Sequence, residues 1–291
     1  MSEFHPDPGL HIVSTPIGRA RDITLHALDL LQTVDLLVAE DTRVLRKLLT
    51  LHGVALGDRK LISHHDHSKD RDLRPIREVL ETGGAVAYCS DAGTPMVSDP
   101  GHSLIQLALE LDVPIHSAPG PSAALAALVI SGLPSDRFQF EGFLPTKSGA
   151  RRVALERIAN ADQTSLFYET PKRLKASLSD IAVVLDGERQ IVLCRELTKR
   201  HEQVVRGTIA EVSDGISNGA IDVPEKGELV ILIGPASIEV VDDGAIKEAL
   251  KDLMDNLGVK KAANQVAADL NISKGRAYQL ALDIKNGHSE D

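Results

Sequence analysis

Short apolar runs alternate with amphipathic segments along the first 120 residues. The apolar runs have the length of strands, and the segments between them repeat apolar residues at helical spacing. The runs lie at 10–14, 34–41, 60–63, 84–91 and 113–118. Strands that alternate with helices predict a mainly parallel sheet that is covered on both faces. The pattern therefore predicts an α/β fold, with a first domain over residues 1–119.

The pattern changes after Pro119-Gly120-Pro121. An Ala- and Leu-rich helix is predicted at 121–132, and the apolar runs that follow are separated by short connections and by helical segments near 150–161 and 172–185. These runs lie at 138–144, 164–170, 189–197, 201–209 and 228–234. Strands that follow one another closely favour a mixed or largely antiparallel sheet. We therefore predict a second α/β domain over residues 120–236.

The last part of the chain, 245–291, has no strand pattern. Residues 259–285 predict a helix, a short turn at 270–272 and a second helix with Ser273 as its N-cap. Such a pair resembles a helix-turn-helix module. Residues 257–285 carry five basic and two acidic side chains, in a chain whose formal net charge is −10. A nucleic-acid-binding module and a small helical cap on the core both fit this pattern.

Composition narrows the classes of function. A net charge of −10 argues against a simple basic nucleic-acid binder, but it allows a local basic patch and suits a cationic ligand. No apolar run is long enough to span a membrane, and the first ten residues lack the features of a signal peptide. Cys89 and Cys194 each lie inside an apolar run. This favours reduced, buried thiols in a cytoplasmic protein over a disulfide or a metal site.

Five polar loops follow the five predicted strands of the first domain. They are rich in Gly, Pro, Ser and charged residues and lie at 14–22, 40–43, 63–68, 90–101 and 118–123. In an open parallel sheet, ligands bind beyond the carboxyl ends of the strands. The loops lack the glycine spacing of a dinucleotide fold and of a P-loop, so the ligand need not carry a phosphate. A flat or cationic cofactor held against the backbone fits them equally well.

Two of these loops have more than one interpretation. The sequence SHHDHS at 63–68 fits a metal site, a catalytic or RNA-facing loop, or a solvated loop, although no second ligand cluster completes a metal site. In EDTR at 40–43, Asp41 or Thr42 can cap the following helix. The acids and Arg43 can equally position a substrate hydroxyl.

Eight segments that together cover most of residues 10–234 carry a family resemblance: 14–24, 34–43, 65–68, 90–101, 118–145, 167–174, 195–208 and 226–233. They resemble the tetrapyrrole-methylase superfamily of S-adenosylmethionine-dependent methyltransferases. More narrowly, they resemble its branch that methylates the ribose 2′-oxygen of a decoding-centre cytidine in small-subunit (16S) ribosomal RNA. SDAGTP, PGPSA and GFLP are specific to this branch. The C-terminal VKKAANQVAADLNISKGRAY also resembles its terminal helices.

The resemblance implies two α/β domains that hold S-adenosylmethionine in the cleft between them, usually in a homodimer, with the small ribosomal subunit or its 16S rRNA as partner. Relatives that act on tetrapyrroles tend to have Gly-Asp-Pro where this chain has Gly93-Thr94-Pro95, so Thr94 offers a hydroxyl in place of a carboxylate. The residues that carry over by motif as cofactor contacts are Pro16, Ile17, Thr94, Pro95, Val97, Ser122, Ala123 and Tyr168.

The resemblance also implies catalytic residues and RNA-binding residues. Their positions at strand ends make Asp41 and His67 candidate bases or orienting groups for the ribose hydroxyl, and Arg43 a candidate to stabilise negative charge or anchor a phosphate. The candidate RNA contacts are Lys147, Arg151, Arg152, Lys274 and Arg276. The first three of these fit the solvated start of a helix equally well.

Two other functions stay open at this stage. A small-molecule methyltransferase that acts on a porphyrin or corrin would share the fold, but it would not need the terminal helices. A DNA-binding regulator would use those helices to bind duplex DNA and the α/β body as a ligand sensor. If the protein is such a regulator, we expect it to bind specific DNA sequences and to catalyse no reaction.

Overall fold

The computed structural model describes residues 4–65, 70–236, 242–270 and 274–287. These residues form two compact units that are divided after Ala236. Both sheets belong to the first unit, and the described part of the second unit is helical. None of the helices in these ranges combines the length and the apolar character that a membrane span requires.

Five strands form the first sheet: β1 (Gly9–Val13), β2 (Leu36–Ala39), β3 (Lys60–Ser63), β4 (Ala85–Cys89) and β5 (Ile115–Ala118). All pairings are parallel, in the order β3-β2-β4-β1-β5, which confirms the predicted sheet. The accompanying helices are α1 (Leu25–Thr33), α2 (Thr42–Leu51), α3 (Asp70–Glu81) and α4 (His102–Glu110). Apolar clusters with α1 and α2 on one face and with α3 and α4 on the other bury β1, β2 and β4 completely.

Five further strands form the second sheet: β6 (Phe138–Phe143), β7 (Thr164–Glu169), β8 (Gln190–Arg195), β9 (Gln203–Thr208) and β10 (Leu229–Ile233). The order is β6-β7-β10-β8-β9, with β6 parallel to β7 and the other pairs antiparallel, so the predicted mixed sheet is confirmed. Its helices are α5 (Ala123–Ser131), α6 (Ser148–Glu156), α7 (Leu174–Val184) and α8 (Ile209–Ser217). Ile17 and α5 pack on one face and α6, α7 and α8 on the other.

Helix α8 lies between β9 and β10, where the sequence analysis named no helix. The hydroxyl of Thr208 accepts a hydrogen bond from the N–H of Glu211, and the Glu211 carboxylate accepts one from the N–H of Thr208. This capping box starts the helix, and Ile209, Val212 and Ile216 at helical spacing bury its inner face. Both signals are present in the sequence.

The second unit contains three helices in its described part: α9 (Asp243–Leu257), α10 (Val259–Asp269) and α11 (Lys274–Gly287). Helices α10 and α11 confirm the predicted pair, but Ser273 and most of the predicted turn lie outside the described residues. Helix α9, which the sequence pattern did not separate, packs against both. Its Ile246 and Leu250 meet a core that is otherwise rich in alanine.

Candidate active site

A cavity of about 280 Å³ lies beyond the carboxyl ends of β1, β2 and β4, where the first sheet faces the second. One wall comes from the loops after β1, β2, β4 and β5, and the other from β7, β10 and the segment after β8. This volume is close to the lower end of the range of small-molecule sites, roughly 300–1,000 Å³. The predicted position of the ligand site, at the strand ends, is therefore where the structure has a cavity.

Hydrogen bonds tie three of the loops together at the cavity. Thr15 and Gly93 exchange backbone hydrogen bonds of 2.8 and 3.0 Å. The hydroxyl of Thr94 lies 3.1 Å from that of Ser14 and donates to the carbonyl of Pro121 at 3.0 Å. Thr94 therefore joins the loops after β1, β4 and β5 with the hydroxyl that replaces the carboxylate of the Gly-Asp-Pro relatives.

Backbone strain is concentrated in the loops on both sides of the cavity. Five described residues other than glycine have positive φ, and four of them are Met96, Ser98, Glu196 and Thr198. Such conformations cost free energy and persist where the surrounding structure holds them, which is common at functional sites. The four strained residues lie in two segments, 90–101 and 195–199, that contribute to opposite walls of the cavity.

The loop after β1 closes on the segment after β8. The N–H of Arg19 donates to the hydroxyl of Thr198 at 3.1 Å. A Cβ atom at Gly18 would lie 2.5 Å from the side chain of Lys199 and 2.6 Å from the hydroxyl of Thr198, so only glycine allows this approach. The contact brings the two walls of the cavity together.

Six carboxylates line the cavity: Glu40, Asp91, Asp99, Glu169, Glu196 and Glu228. Three of them bind cations within the protein, because Arg173 lies 3.1 Å from Glu169 and Lys199 lies 2.9 Å from both Glu196 and Glu228. Burial, helped by Glu40 and Asp91, raises the pKa of Asp99 to about 6. Burial also raises the pKa of Asp91. Among the described residues, the six acids outnumber the two cations that pair with them, so the cavity is acidic and suits a cationic ligand.

The acids of the first wall are held in place by the backbone. Asp41 donates its N–H to the Asp91 carboxylate at 3.0 Å, and Asp91 donates its own N–H to the Glu40 carboxylate at 3.3 Å. These bonds fix the loop after β2 against the loop after β4. The cavity therefore presents preformed negative charge.

Asp41 and Arg43 lie outside the cavity lining. The Asp41 side chain caps α2 by accepting from the N–H of Arg43 at 2.8 Å, and the Arg43 guanidinium lies 2.5 Å from the same carboxylate. The hydrogen bonds from Arg43 lower the pKa of Asp41 to about 2. A carboxyl group with a lowered pKa is a weak proton acceptor. The structure shows Asp41 capping α2 and pairing with Arg43, and its role as a base or orienting group stays a prediction. His67, the other candidate, lies outside the described residues.

A family model described as "Tetrapyrrole (Corrin/Porphyrin) Methylases" matches residues 9–213. The chain belongs to the tetrapyrrole methylase family. Within it, a protein of Mesorhizobium japonicum named ribosomal RNA small subunit methyltransferase I is 40% identical over 284 residues, which are 98% of this chain and 95% of the relative. The protein of that name from Vibrio cholerae is 41% identical over 95% of each chain. The predicted family is therefore confirmed.

Solved structures share the fold of this tetrapyrrole methylase. The methyltransferase CobJ has a TM-score of 0.58 at 18% identity and covers 79% of this chain and 95% of its own. A uroporphyrin-III C-methyltransferase from Thermus thermophilus, complexed with S-adenosylhomocysteine, has a TM-score of 0.52 at 18% identity and covers 78% of this chain and 97% of its own. The predicted cofactor, S-adenosylmethionine, is that of the family. The acidic cavity fits its ammonium and sulfonium groups.

Most of the predicted cofactor residues line the cavity of this methylase. Burial raises the pKa of Tyr168, whose ring packs against those of Phe140 and Phe143. Pro16 is half-buried and Pro95 is buried, and both lie outside the lining. The predicted residues that line the cavity are Ile17, Thr94, Val97, Ser122, Ala123 and Tyr168.

The predicted RNA contacts at the start of α6 do not share one environment. Arg151 is buried, with its guanidinium 2.6 Å from the Asp180 carboxylate and further hydrogen bonds to backbone carbonyls. It cannot face a phosphate there, which corrects that prediction. Arg152 also binds Asp180, at 2.7 Å, but its side chain is 45% exposed. Lys147 is exposed.

The predicted RNA contacts of the second unit lie on α11. Lys274 is exposed at its first residue. Arg276 lies 2.6 Å from the Asp243 carboxylate at the start of α9. Lys274 is therefore the more accessible of the two.

The acids on the second wall were missed by the sequence analysis. Glu169 is the last residue of β7, Glu196 follows β8, and Glu228 precedes β10. Because neighbouring strands of this sheet are antiparallel, the end of one strand meets the start of the next at one edge. An acid at the ends of three apolar runs was the available signal. Among the described residues, no group of three metal-binding side chains is gathered.

Proposed function

We propose that this methylase transfers a methyl group from S-adenosylmethionine to the ribose 2′-oxygen of the decoding-centre cytidine C1402 of 16S rRNA. The observation that carries the proposal is the length of the match to relatives named ribosomal RNA small subunit methyltransferase I. It covers 284 of 291 residues and so includes most of the helical unit after Ala236. The tetrapyrrole-type structures cover 78–79% of the chain. The additional helices favour an RNA substrate over a free tetrapyrrole.

The cavity residues have separable roles in binding the cofactor. When bound, the cofactor supplies a methyl group on a positively charged sulfur atom. Asp91 and Asp99 would offset positive charge, and Ile17 would provide apolar surface. The main chain of the tight loop at 90–101 offers hydrogen-bond donors and acceptors at close range. Positioning is the main task, because methyl transfer requires the acceptor oxygen to lie in line with the breaking bond.

The proton of the ribose hydroxyl must leave as the new bond forms. His67 remains our proposed acceptor of that proton. His64, three positions earlier in the sequence, donates its backbone N–H to the carbonyl of Ala39 at 2.8 Å and lies 2.7 Å, through Nε2, from the Ser103 hydroxyl. Arg43, with 89% of its side chain exposed and oriented by Asp41, is our proposed contact to a phosphate.

The proposed partners are the small ribosomal subunit and a second copy of the chain. We retain Lys147, Arg152, Lys274 and Arg276 as proposed RNA contacts. For the homodimer, α5 offers an apolar surface, since Leu125 is 51% and Val129 76% exposed on successive turns. A ribosomal substrate would place the protein in the cytoplasm.

The test of the function uses purified protein and S-adenosylmethionine with a labelled methyl group. Small ribosomal subunits, naked 16S rRNA and free tetrapyrroles are offered in separate reactions, and the modified nucleotide is mapped. We expect label on the ribose of one cytidine. Label in a base would contradict the acceptor atom, and transfer to a tetrapyrrole without RNA would favour the small-molecule alternative. Binding to duplex DNA without any transfer would favour the regulator.

A further inference from the structure

Phe143 is an aromatic side chain at the lip of the cavity. It lines the cavity, yet 52% of the residue is exposed. The chain has few aromatic residues: five Phe, three Tyr and no Trp. Among the described Phe and Tyr residues that are more than 40% exposed, only Phe143 lines the cavity, which makes it a candidate contact for a ligand.

The backbone is built to turn Phe143 toward the cavity. Residues three apart on a regular strand face opposite sides of a sheet. Phe140 and Phe143 nevertheless both contact the ring of Tyr168, with centroid distances of 4.8 and 5.6 Å. An irregularity in the pairing of β6 with β7 between Phe140 and Phe143 produces this arrangement. Such bulges re-aim side chains and are common beside active sites.

The bulge depends on Gly142 and meets the strained loop of the other wall. Gly142 has φ of +69°, and a Cβ atom there would lie 3.4 Å from the hydroxyl of Ser98. Ser98 is itself one of the residues with positive φ. Phe143 is therefore held at the point where the two walls of the cavity meet.

We propose that Phe143 is a stacking platform for the base of the nucleotide that receives the methyl group. This inference rests on the proposed function. Unpaired RNA bases are recognised mainly by stacking on aromatic rings. The half-exposed ring lies toward the solvent side, whereas Ile17, 8% exposed, lies deeper. That placement assigns Phe143 to the incoming RNA and not to the adenine of the cofactor.

The charge of the cavity favours an uncharged contact with the target base. Six carboxylates line the cavity, and two cations, Arg173 and Lys199, pair with three of them, so the acidic lining repels the phosphates of an approaching RNA. A contact with the base that carries no charge avoids this repulsion. Stacking on the ring of Phe143 is such a contact, and it is compatible with the acids that attract a cationic cofactor.

The test compares Phe143→Leu, Phe143→Trp and the control Phe138→Leu. Phe138 lies on the same strand, is 42% exposed and is outside the cavity lining. We expect Phe143→Leu to raise the KM for RNA about tenfold, within the range for loss of one stacked base. Phe138→Leu should keep the wild-type KM, and Phe143→Trp, which retains a ring for stacking, should raise the KM less than Phe143→Leu does. Calorimetry should give the same Kd for S-adenosylmethionine in all four proteins.

Three results would overturn the assignment. In the first, Phe143→Leu has the same KM for RNA as Phe138→Leu. In the second, Phe143→Leu weakens cofactor binding while the KM for RNA is unchanged, which identifies an adenine platform. In the third, Phe143→Trp raises the KM for RNA as much as Phe143→Leu, which identifies a requirement for shape instead of stacking. Failure of the wild-type protein to methylate RNA would refute the proposed function itself.

Discussion

Asp99 lies in the cavity wall beside two other acids. Burial and the neighbouring Glu40 and Asp91 raise its pKa to about 6. A carboxyl group with a raised pKa in the folded state destabilises the fold above that pH, because the unfolded chain solvates the ionised form better. Groups of this kind are concentrated at functional sites. In this cavity, the ionised form of Asp99 is the one that attracts a cationic cofactor.

We expect Asp99→Asn to weaken the binding of S-adenosylmethionine about tenfold near pH 8. A loss of this size corresponds to removing one hydrogen bond to a charged group. In the wild-type protein the affinity should rise as the pH increases through about 6, because Asp99 becomes ionised there. The variant should lack that rise. Calorimetric titrations between about pH 5 and about pH 8 measure both effects.

The control for Asp99 is Asp136→Asn, an exposed acid in the segment before β6. It should leave both the affinity and its dependence on pH unchanged. Without cofactor, Asp99→Asn should melt above the wild-type temperature at a pH above about 6, and the difference should shrink as the pH falls toward the ordinary carboxyl value of 3.8. A wild-type affinity that is flat across this range would refute the role of Asp99.

The packing of α6 against α7 gives two adjacent arginines different roles. Arg151 points inward to Asp180, and both side chains are 5% exposed. Arg152 reaches the same carboxylate from the surface. Burial opposes ionisation of Asp180, but hydrogen bonds from Arg152, Ser148 and Arg151 outweigh it and lower the pKa of Asp180. The pair Arg151–Asp180 therefore fastens α6 to α7.

Arg151→Ala should lower the free energy of unfolding by about 2–3 kcal/mol, less than the 3–5 kcal/mol for a buried charge left alone, because Arg152 and Ser148 still bind Asp180. Arg152→Ala should cost about 0–1 kcal/mol, as for an exposed pair. Equilibrium denaturation of the two variants gives both values. Equal losses would contradict the division into a structural and a surface arginine.

Strands β1, β2 and β4 of the first sheet were predictable because they are buried on both faces and therefore form apolar runs in the sequence. The loops that follow parallel strands must meet at one edge of the sheet, so the position of the cavity was predictable too. The different roles of Arg151 and Arg152 could not be predicted. The two residues are neighbours on α6, and only the orientation of the helix decides which side chain faces α7. The acids of the second wall were also hidden, because periodicity does not say how the second sheet faces the first.

The cofactor and the proposed RNA substrate have opposite charges, so they need different electrostatic surfaces on the molecule. The net charge is −10 and the cavity is acidic, as a cationic cofactor requires. The proposed substrate is itself a polyanion, so its phosphates must be bound away from the cavity. Basic side chains on the surface, such as Lys147 and Arg152, would meet this need, while Phe143 would hold the base between them and the cofactor.

If Lys147 contacts a phosphate, Lys147→Ala should weaken RNA binding and reduce the slope of log K against log salt concentration by about one unit. Lys60→Ala is the matched control, because Lys60 is also an exposed lysine. It begins β3 and so lies at the amino ends of the strands, away from the cavity at their carboxyl ends. Its slope should equal that of the wild-type protein. Titration of small subunits at several salt concentrations measures the three slopes. The same loss of slope in both variants would mean that the whole surface attracts RNA without a local contact at Lys147.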